Sequence, residues 1–452
     1  MCGIIITQDK NKIDSIKHRG IQFSSVEKDG WIYGHHRLPI QTEEDDEWEQ
    51  PIDIGDGEML LFKGELFNYD KEKYDSDSEY LQAFFSSDDR DDEEYFIDEM
   101  NKWDGFWSIV ITNGDKTLVF TDPLGKKQLY YNANTHEISS EVKQLTSDAK
   151  IDTTFISIVN KWGYNTDDRT IYKDVKRIMP NMIYQFLKGD SQVYTVYKDY
   201  FDWEKNISYD KSIYELLEES VKNRLISKKY KISTLFSAGI DSTIILYFLR
   251  KFGIDINIYS IDNAEDGEYI KFMEKEWDLD INFLDVDPNN VFFEDRMKIY
   301  DINDSMIDLG SVIPQYYLFK DIKDKIVLTG DGADELFSGY TRNNYYDSQK
   351  SDVFQELPFY HFVRIDRMSM YFTIECRNPF LSHDLIKKAL TIPFEKRVYK
   401  KILKEEFQGL IPDKIINRKK NPLKIKQIRE DELGYRRKLI QDYLFHLENK
   451  NI

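Results

Sequence analysis

Cysteine is scarce in this 452-residue chain, which carries only Cys2 and Cys376. Two cysteines build no disulfide framework, so a reducing compartment, the cytoplasm, is the expected setting. An excess of positive charge is missing too. The chain has 62 Lys and Arg against 82 Asp and Glu. The resulting net charge of −20 argues against a nucleic-acid partner, which demands a basic surface. No apolar run is long enough to span a membrane, and Met1-Cys2-Gly3 leads straight into Ile4-Ile5-Ile6 without a signal peptide. Internal repeats, low-complexity segments and a Gly/Pro/Ser-rich linker are absent as well. What is present suffices for folding: 41% of residues are hydrophobic and 14% aromatic. The length exceeds one ordinary core, so two packed domains are expected, residues 2–202 and 203–452. The acidic runs Glu43 to Glu47 and Asp88 to Glu94 are expected to be solvated loops.

Gly3 to Thr7, Trp31 to Arg37, Met59 to Phe62, Phe106 to Thr112 and Thr117 to Asp122 read as strands. Asn113-Gly114 joins the last two as a hairpin. Ser78 to Phe85 and Phe96 to Trp103 read as short helices, giving an α+β first half. Its chemical feature is Cys2, which becomes the N-terminus once Met1 is removed. Such a cysteine carries its own base, since an α-amine with a pKa near ~8 can accept the thiol proton.

The second half turns on Leu235-Phe236-Ser237-Ala238-Gly239-Ile240-Asp241-Ser242. Lys231 to Thr234 before it alternates as a strand, and Thr243 to Arg250 after it is helical. A strand that breaks through small residues into a helix start makes an anion site, with Gly239 free to take unusual backbone angles. Asp241 fits there if a divalent cation lies between it and phosphates. A helix from Tyr209 onward shows Ile213, Leu216, Leu217 and Val221 on one face. Ile256 to Ile261, Ile281 to Val286 and Ile326 to Leu328 read as further strands, implying a parallel, doubly wound sheet. Ligands then sit at the carboxyl ends of the strands. There lies the second constellation, Thr329-Gly330-Asp331-Gly332-Ala333-Asp334-Glu335-Leu336-Phe337-Ser338-Gly339-Tyr340. Its three acids in five residues need a cation, and Mg²⁺ bound to ATP supplies one, with Asp241 and Asp334 as ligands. The plain alternative is an acidic turn capping the next helix.

The bend at Ser237 to Ser242 resembles the pyrophosphate loop of ATP pyrophosphatases, with Ala238 in place of the first glycine. That exchange is tolerable at ordinary backbone angles and costly at positive φ. In the first half, His18-Arg19-Gly20, Arg37-Leu38-Pro39-Ile40, Gly64-Glu65-Leu66-Phe67-Asn68, Ser76-Asp77-Ser78-Glu79, Asp122-Pro123-Leu124-Gly125 and Ser140-Glu141-Val142-Lys143 occur in order. Together they resemble the class II glutamine amidotransferase domain, an N-terminal-nucleophile αββα sandwich. The likeness implies that Cys2 attacks the glutamine amide in a site lined by Arg37, Leu38, Ile40, Gly64, Glu65 and Asp77. Arg37 would hold the substrate carboxylate, and Asp77 with Glu65 its ammonium. The family's oxyanion hole uses an asparagine side chain and the glycine amide. Here Lys63 stands before Gly64, as a flexible donor or as a partner for the Cys2 thiolate.

Thr170 to Lys173, Met179 to Asn181 and Tyr197 to Trp203 resemble the join between the domains of asparagine synthetases. The Thr329 to Tyr340 run resembles that family's aspartate-rich motif. Asp366 to Met370 and Glu375 to Leu381 resemble a further block, departing from it at Asn378 and, just beyond, Ser382. Arg377 is expected to pair with the acids near Asp334, and Cys376 to be an inert core residue. Lys400 to Lys404, Pro412 and Arg418-Lys419-Lys420 resemble the basic closing segment, after which the tail is short. Arg397 or Lys400 would offset charge on the α-phosphate; a solvated basic helix is the alternative.

The resemblance therefore implies a glutamine-dependent asparagine synthetase or close relative, with an adenine nucleotide α-hydrolase-like second domain. ATP and Mg²⁺ would be its cofactors. Phe236, Ser237, Gly239, Asp241, Ser242, Ile261, Thr329 and Gly330 would bind ATP, and Asp331 would act near the acceptor amine or the attacking ammonia. The partners are small molecules (glutamine, aspartate or another carboxylate, ATP), with a homodimer left open. One alternative keeps the chemistry but changes the acceptor; another is a glutamine- or nucleotide-binding protein without turnover.

Overall fold

Alternating burial is what turns the first two hundred residues into sheet. The protein is described by a computed structural model covering residues 2–41, 49–146, 150–208, 210–261, 266–284, 293–304, 309–418, 440–445 and 447. Among the described residues the first half holds twelve strands. In chain order they are β1 (Gly3–Thr7), β2 (Gln22–Lys28), β3 (Trp31–Arg37), β4 (Ile52–Gly55), β5 (Glu58–Leu66) and β6 (Gly105–Thr112). Then come β7 (Lys116–Thr121), β8 (Tyr130–Asn132), β9 (Ile138–Ser139), β10 (Val175–Arg177), β11 (Met182–Leu187) and β12 (Val193–Lys198). They form two antiparallel sheets, ordered β10-β8-β9-β1-β3-β2 and β12-β11-β7-β6-β5-β4. Ile4, Tyr33 and Ile138 of the first meet Leu61, Val110 and Val119 of the second in a shared core. On the far side of the second sheet, Leu60, Phe62 and Ile109 pack with the helical residues Leu81, Phe85 and Met100. The first sheet is covered by the 3₁₀ segment Lys10–Arg19, and helix Phe362–Tyr371 of the second half packs on that segment. This is the expected sandwich, its fourth layer shared between the halves.

Two local expectations change. The second helix spans Glu93–Met100 rather than starting at Phe96, because the Asp92 carboxylate accepts from the Glu94 and Tyr95 amides. The run Asp88 to Glu94 is thus a 3₁₀ turn and a helix start, not a loop; Glu43 to Glu47 lies outside the described residues. Strands β2 and β12 gave no alternation to read, being exposed edges.

The second half is built on β13 (Ile232–Leu235), β14 (Asn257–Ile261), β15 (Ile281–Leu284), β16 (Ile326–Leu328) and β17 (Glu375–Arg377). All run parallel, in the order β15-β14-β13-β16-β17. Strand β17 was not anticipated, because its charged Glu-Cys-Arg sequence is fully buried. Cys376 lies in the core, and burial pushes its thiol up to about 12. Helix Ile213–Asn223 starts at a Ser212–Glu215 capping box; Tyr209 and Val286 lie outside the described residues. Leu216, Leu217 and Val221 pack with Ile244, Ile245 and Phe248 from the helix after β13.

Ion pairs and a buried backbone-to-carboxylate hydrogen bond hold the halves together. Asp366 receives Arg19 and Lys127, each at 2.8 Å, Asp104 receives Arg224 at 3.0 Å, and Val142 N–H donates to Asp304 at 2.7 Å. Among the described residues, no helix is long and apolar enough to cross a membrane.

Candidate functional site

Strands β13 and β16 are neighbours, so the segments leaving their carboxyl ends meet. After β13, Phe236 is buried and its amide bonds Tyr259 O at 2.8 Å. The bend then closes on itself: Ser237 and Ser242 hydroxyls lie 3.3 Å apart, and Thr243 Oγ1 donates to Gly239 O at 2.7 Å. The left-handed residue is Ala238, with φ +51°, while Gly239 is ordinary extended backbone at φ −75°. The freedom expected of Gly239 is needed one residue earlier, so the alanine exchange falls on the costly side. Arg418 braces the bend, donating to Ser237 O at 3.1 Å, to Ala238 O at 2.7 Å and to Asp266. Lys419 and Lys420 lie outside the described residues. Ile261 ends the adjacent β14.

After β16, Gly330 lies against the helix start: a Cβ there would come 2.9 Å from Asp241 Cβ. Thr329 Oγ1 donates to Asp331 Oδ2 at 2.5 Å and accepts from Asn378 Nδ2 at 2.7 Å. Asn378 is 2% exposed, and its Oδ1 has no partner among the described residues.

Asp241 and Asp334 do converge, and a lysine lies between them. Lys400 Nζ is 2.5 Å from Asp241 Oδ2 and 2.6 Å from Asp334 Oδ1. Burial opposes its charge, but the two carboxylates prevail and hold its pKa above the ordinary lysine value. The turn carrying it is strained, Tyr399 and Lys400 both having φ +58°. It is stapled to the acidic turn by Tyr399 N–H to Ser338 O at 3.2 Å and Lys400 N–H to Phe337 O at 3.1 Å. Gly339 makes room, since a Cβ there would lie 2.0 Å from Asp334 Oδ1 and 2.3 Å from Lys400 Cε. That glycine was missed as a site residue; only the tertiary contact reveals its role.

Two cations lie elsewhere than expected. Arg397 turns away, onto Ile392 O at 2.7 Å, Ser338 Oγ at 2.9 Å and Asp347 at 2.7 Å. Arg377 pairs with Glu375 at 2.5 Å and approaches Glu65 at 3.7 Å, rather than the acids near Asp334.

In the first half, the register that pairs Gly3 with His36 sets buried Cys2 beside Arg37. Gly64, at φ +148°, would drive a Cβ to 2.0 Å from Phe106 O, so the position admits only glycine. The side chains of Leu38 and Ile40 are buried in the core cluster that centres on the second half. Lys63 points elsewhere than expected. Its ammonium donates to Gln128 O at 2.8 Å instead of turning to Cys2. Burial, with Arg19 nearby, holds its pKa well below the ordinary lysine value.

Glu65 and Asp77 do meet, with Gln41 between them. Its Nε2 donates to Glu65 Oε2 and, at 3.2 Å, to Asp77 Oδ2. Its Oε1 accepts from Tyr69 OH at 2.6 Å and from the Asp77 amide at 3.4 Å. Burial, with Glu375 and Asp77 close by, drives the Glu65 carboxyl well above its ordinary range. Burial also pushes Asp77 up to about 7, against a bond from Leu66 N–H, with Cys2 and Glu375 adding to the rise. His35, unremarked in the sequence, is buried with neither ring nitrogen partnered among the described residues; burial and Arg37 lower it to about 3.

These two sites coincide with two sequence families. The asparagine synthase family model matches residues 212–358 and 347–450, and a glutamine amidotransferase domain model matches residues 1–200. The chain belongs to the glutamine-hydrolysing asparagine synthetase family. Among its relatives, asparagine synthetase [glutamine-hydrolyzing] 3 of Bacillus subtilis (strain 168) is 23% identical, over 93% of this chain and 86% of its own length. Asparagine synthetase [glutamine-hydrolyzing] 1 of Arabidopsis thaliana is also 23% identical, over 93% of this chain and 74% of its own. Family membership brings ATP and a glutamine-derived nitrogen into the reading of both sites.

Proposed function

We propose that this chain amidates aspartate to asparagine at the expense of ATP, with glutamine as nitrogen donor. The observation that carries the reading is the Asp241–Lys400–Asp334 cluster, beside the serine-rich bend at the carboxyl ends of two parallel strands. Ser237, Gly239 and Ser242 hold the pyrophosphate together with the amides at the start of helix Ile240–Lys251. Phe236 and Ile261 flank the nucleotide, with Thr329 and Gly330 beside it. Asp241 and Asp334 would hold Mg²⁺: their donors are hard oxygens, and the point where they meet suits a cation, Lys400 Nζ taking it here and having to turn toward the phosphates for the ion to enter. When bound, the ion supplies neutralisation of phosphate charge. Among the described residues no third acid joins the pair as a ligand cluster, so phosphate oxygens and water would complete its shell.

Lys400 faces the α-phosphate as the acceptor carboxylate attacks it and pyrophosphate leaves, forming an acyl-adenylate. Asp331, held by Thr329, takes a proton from the ammonia that displaces AMP. At the first site Cys2 attacks the glutamine amide carbon, releases ammonia and leaves a thioester for water to open. Arg37 holds the glutamine carboxylate, and Gly64 N–H donates to the oxyanion. With Lys63 turned to Gln128, the side-chain donor of that hole is missing, a loss typically worth on the order of 10²–10³ in rate. The two sites belong to units we take as residues 2–202 and 203–452.

Incubation with Mg·ATP and aspartate, offering first ammonium and then glutamine, tests the reading. Pyrophosphate and asparagine should form with both, faster with ammonium. No pyrophosphate with either would overturn it. A second reading, amidation of another carboxylate, is favoured by Asn378, whose buried oxygen, without a partner among the described residues and beside Thr329, suits an acceptor carrying an extra N–H or O–H. Pyrophosphate release that requires a different acid would select it.

A further inference from the structure

We propose that Gln41 is an internal competitor for the nitrogen donor: its carboxamide occupies the carboxylate pair that the ammonium of free glutamine would take. The proposal rests on the reading of the first site as a glutamine pocket and deepens it. Gln41 is 3% exposed, and its side chain is bound at both ends. The amide nitrogen reaches Glu65 and Asp77, and the oxygen takes Tyr69 OH and the Asp77 amide. A side chain placed only to fill space would not present its donors to both acids at once.

The electrostatics show what the occupant leaves undone. A carboxamide is neutral, so it satisfies hydrogen bonds without offsetting charge. Asp77 stays near 7 and Glu65 well above its ordinary range, driven by burial, by Glu375 beside both and, for Glu65, by Asp77. An ammonium supplies three donors and a positive charge, so it binds the ionised pair more strongly than the amide does. Glutamine can therefore displace Gln41, but each binding event must first break the Gln41 contacts. Apparent affinity falls by the fraction of molecules in which the pair is vacated. Gln41 thus sets how much glutamine the enzyme requires, without touching the bond that breaks.

The test uses the full chain and 6-diazo-5-oxo-L-norleucine, a glutamine analogue that alkylates the nucleophilic cysteine, with labelling of the Cys2 peptide read by mass. Rates are divided by those with iodoacetamide, which ignores the amino-acid pocket. In Gln41→Val the concentration giving half-maximal labelling should fall about five- to tenfold, the worth of one or two lost competing hydrogen bonds. In Gln41→Lys, which places a permanent ammonium on the pair, it should rise at least tenfold. An unchanged or higher value in Gln41→Val, or an unchanged one in Gln41→Lys, overturns the proposal and leaves Gln41 a structural residue. Ammonium-supported pyrophosphate release by the unaltered chain, measured alongside, reports on the synthetase reading separately.

Discussion

Glu65 and Asp77 in the first half close on a neutral carboxamide, whereas Asp241 and Asp334 in the second close on an ammonium. Glu65 lies near the end of β5 and Asp77 at the start of a helix, whereas Asp241 and Asp334 each lie at a helix start after a parallel strand. The filler decides their state. Around Gln41, burial outweighs the opposing charge of Arg377 near Glu65, and both acids titrate above their ordinary values. Around Lys400 the attraction of two carboxylates outweighs burial, and the ammonium stays charged. A buried acid pair is therefore neither a metal site nor an ammonium site by composition alone; what lies between the acids settles its charge.

The largest effect is expected from breaking the second pair. Lys400→Met leaves two carboxylates facing each other and removes the cation aimed at the developing phosphate charge. Pyrophosphate release at saturating Mg·ATP should fall about 10²–10³-fold, the usual worth of one such donor. Retention within tenfold would mean that Lys400 only fills space between the acids, and the contrast between the two pairs would lose its functional side.

A smaller effect sharpens the contrast through pH. Asp77 is raised from 3.8 to about 7, so between those values the folded chain binds more protons than the unfolded one. Stability from this group therefore falls as pH rises from about 4 to 7. Lys400, raised as well, has the same sign but another window: its contribution is complete below the unfolded lysine value and is lost only in strong alkali. Asp77→Asn should gain on the unaltered chain by a few kcal/mol, roughly, between pH 4 and 7, read from denaturant midpoints across the range. A difference that is flat with pH would show that the Gln41 contacts leave Asp77 an ordinary carboxylate.

Much of this architecture was legible because the strand-to-helix bend and the aspartate-rich turn are local. Ser237 to Ser242 and Thr329 to Tyr340 each announce a strand end, and a parallel sheet brings such ends together. The fillers were not legible. Lys400 lies 159 residues from Asp241, and Gln41 lies 24 from Glu65 and 36 from Asp77, with no periodicity to connect them. The choice between Arg397 and Lys400 needed the strained turn at Tyr399 and Lys400, which no propensity encodes. Arg377 pairs with Glu375 because strand alternation puts both on one face of β17, and that short charged strand was invisible as sequence.

The smallest effect concerns the bend beside the second pair. Ala238 holds φ +51°, a conformation costing a non-glycine residue roughly 1–2 kcal/mol, so Ala238→Gly should relieve strain. Two terms oppose that gain. Glycine costs about 0.5–1 kcal/mol more backbone entropy on folding. Ala238 is also fully buried, and its lost methyl costs about 0.8 kcal/mol. These terms nearly cancel, so Ala238→Gly should shift the thermal midpoint by no more than about 2–4 °C in either direction. Ala238→Val should instead destabilise by more than about 2 kcal/mol, because a β-branched side chain fits neither the left-handed backbone nor the closed space. A large gain from glycine would show that the strain outweighs the packing, and that the bend stores energy which the Lys400 pair must hold in place.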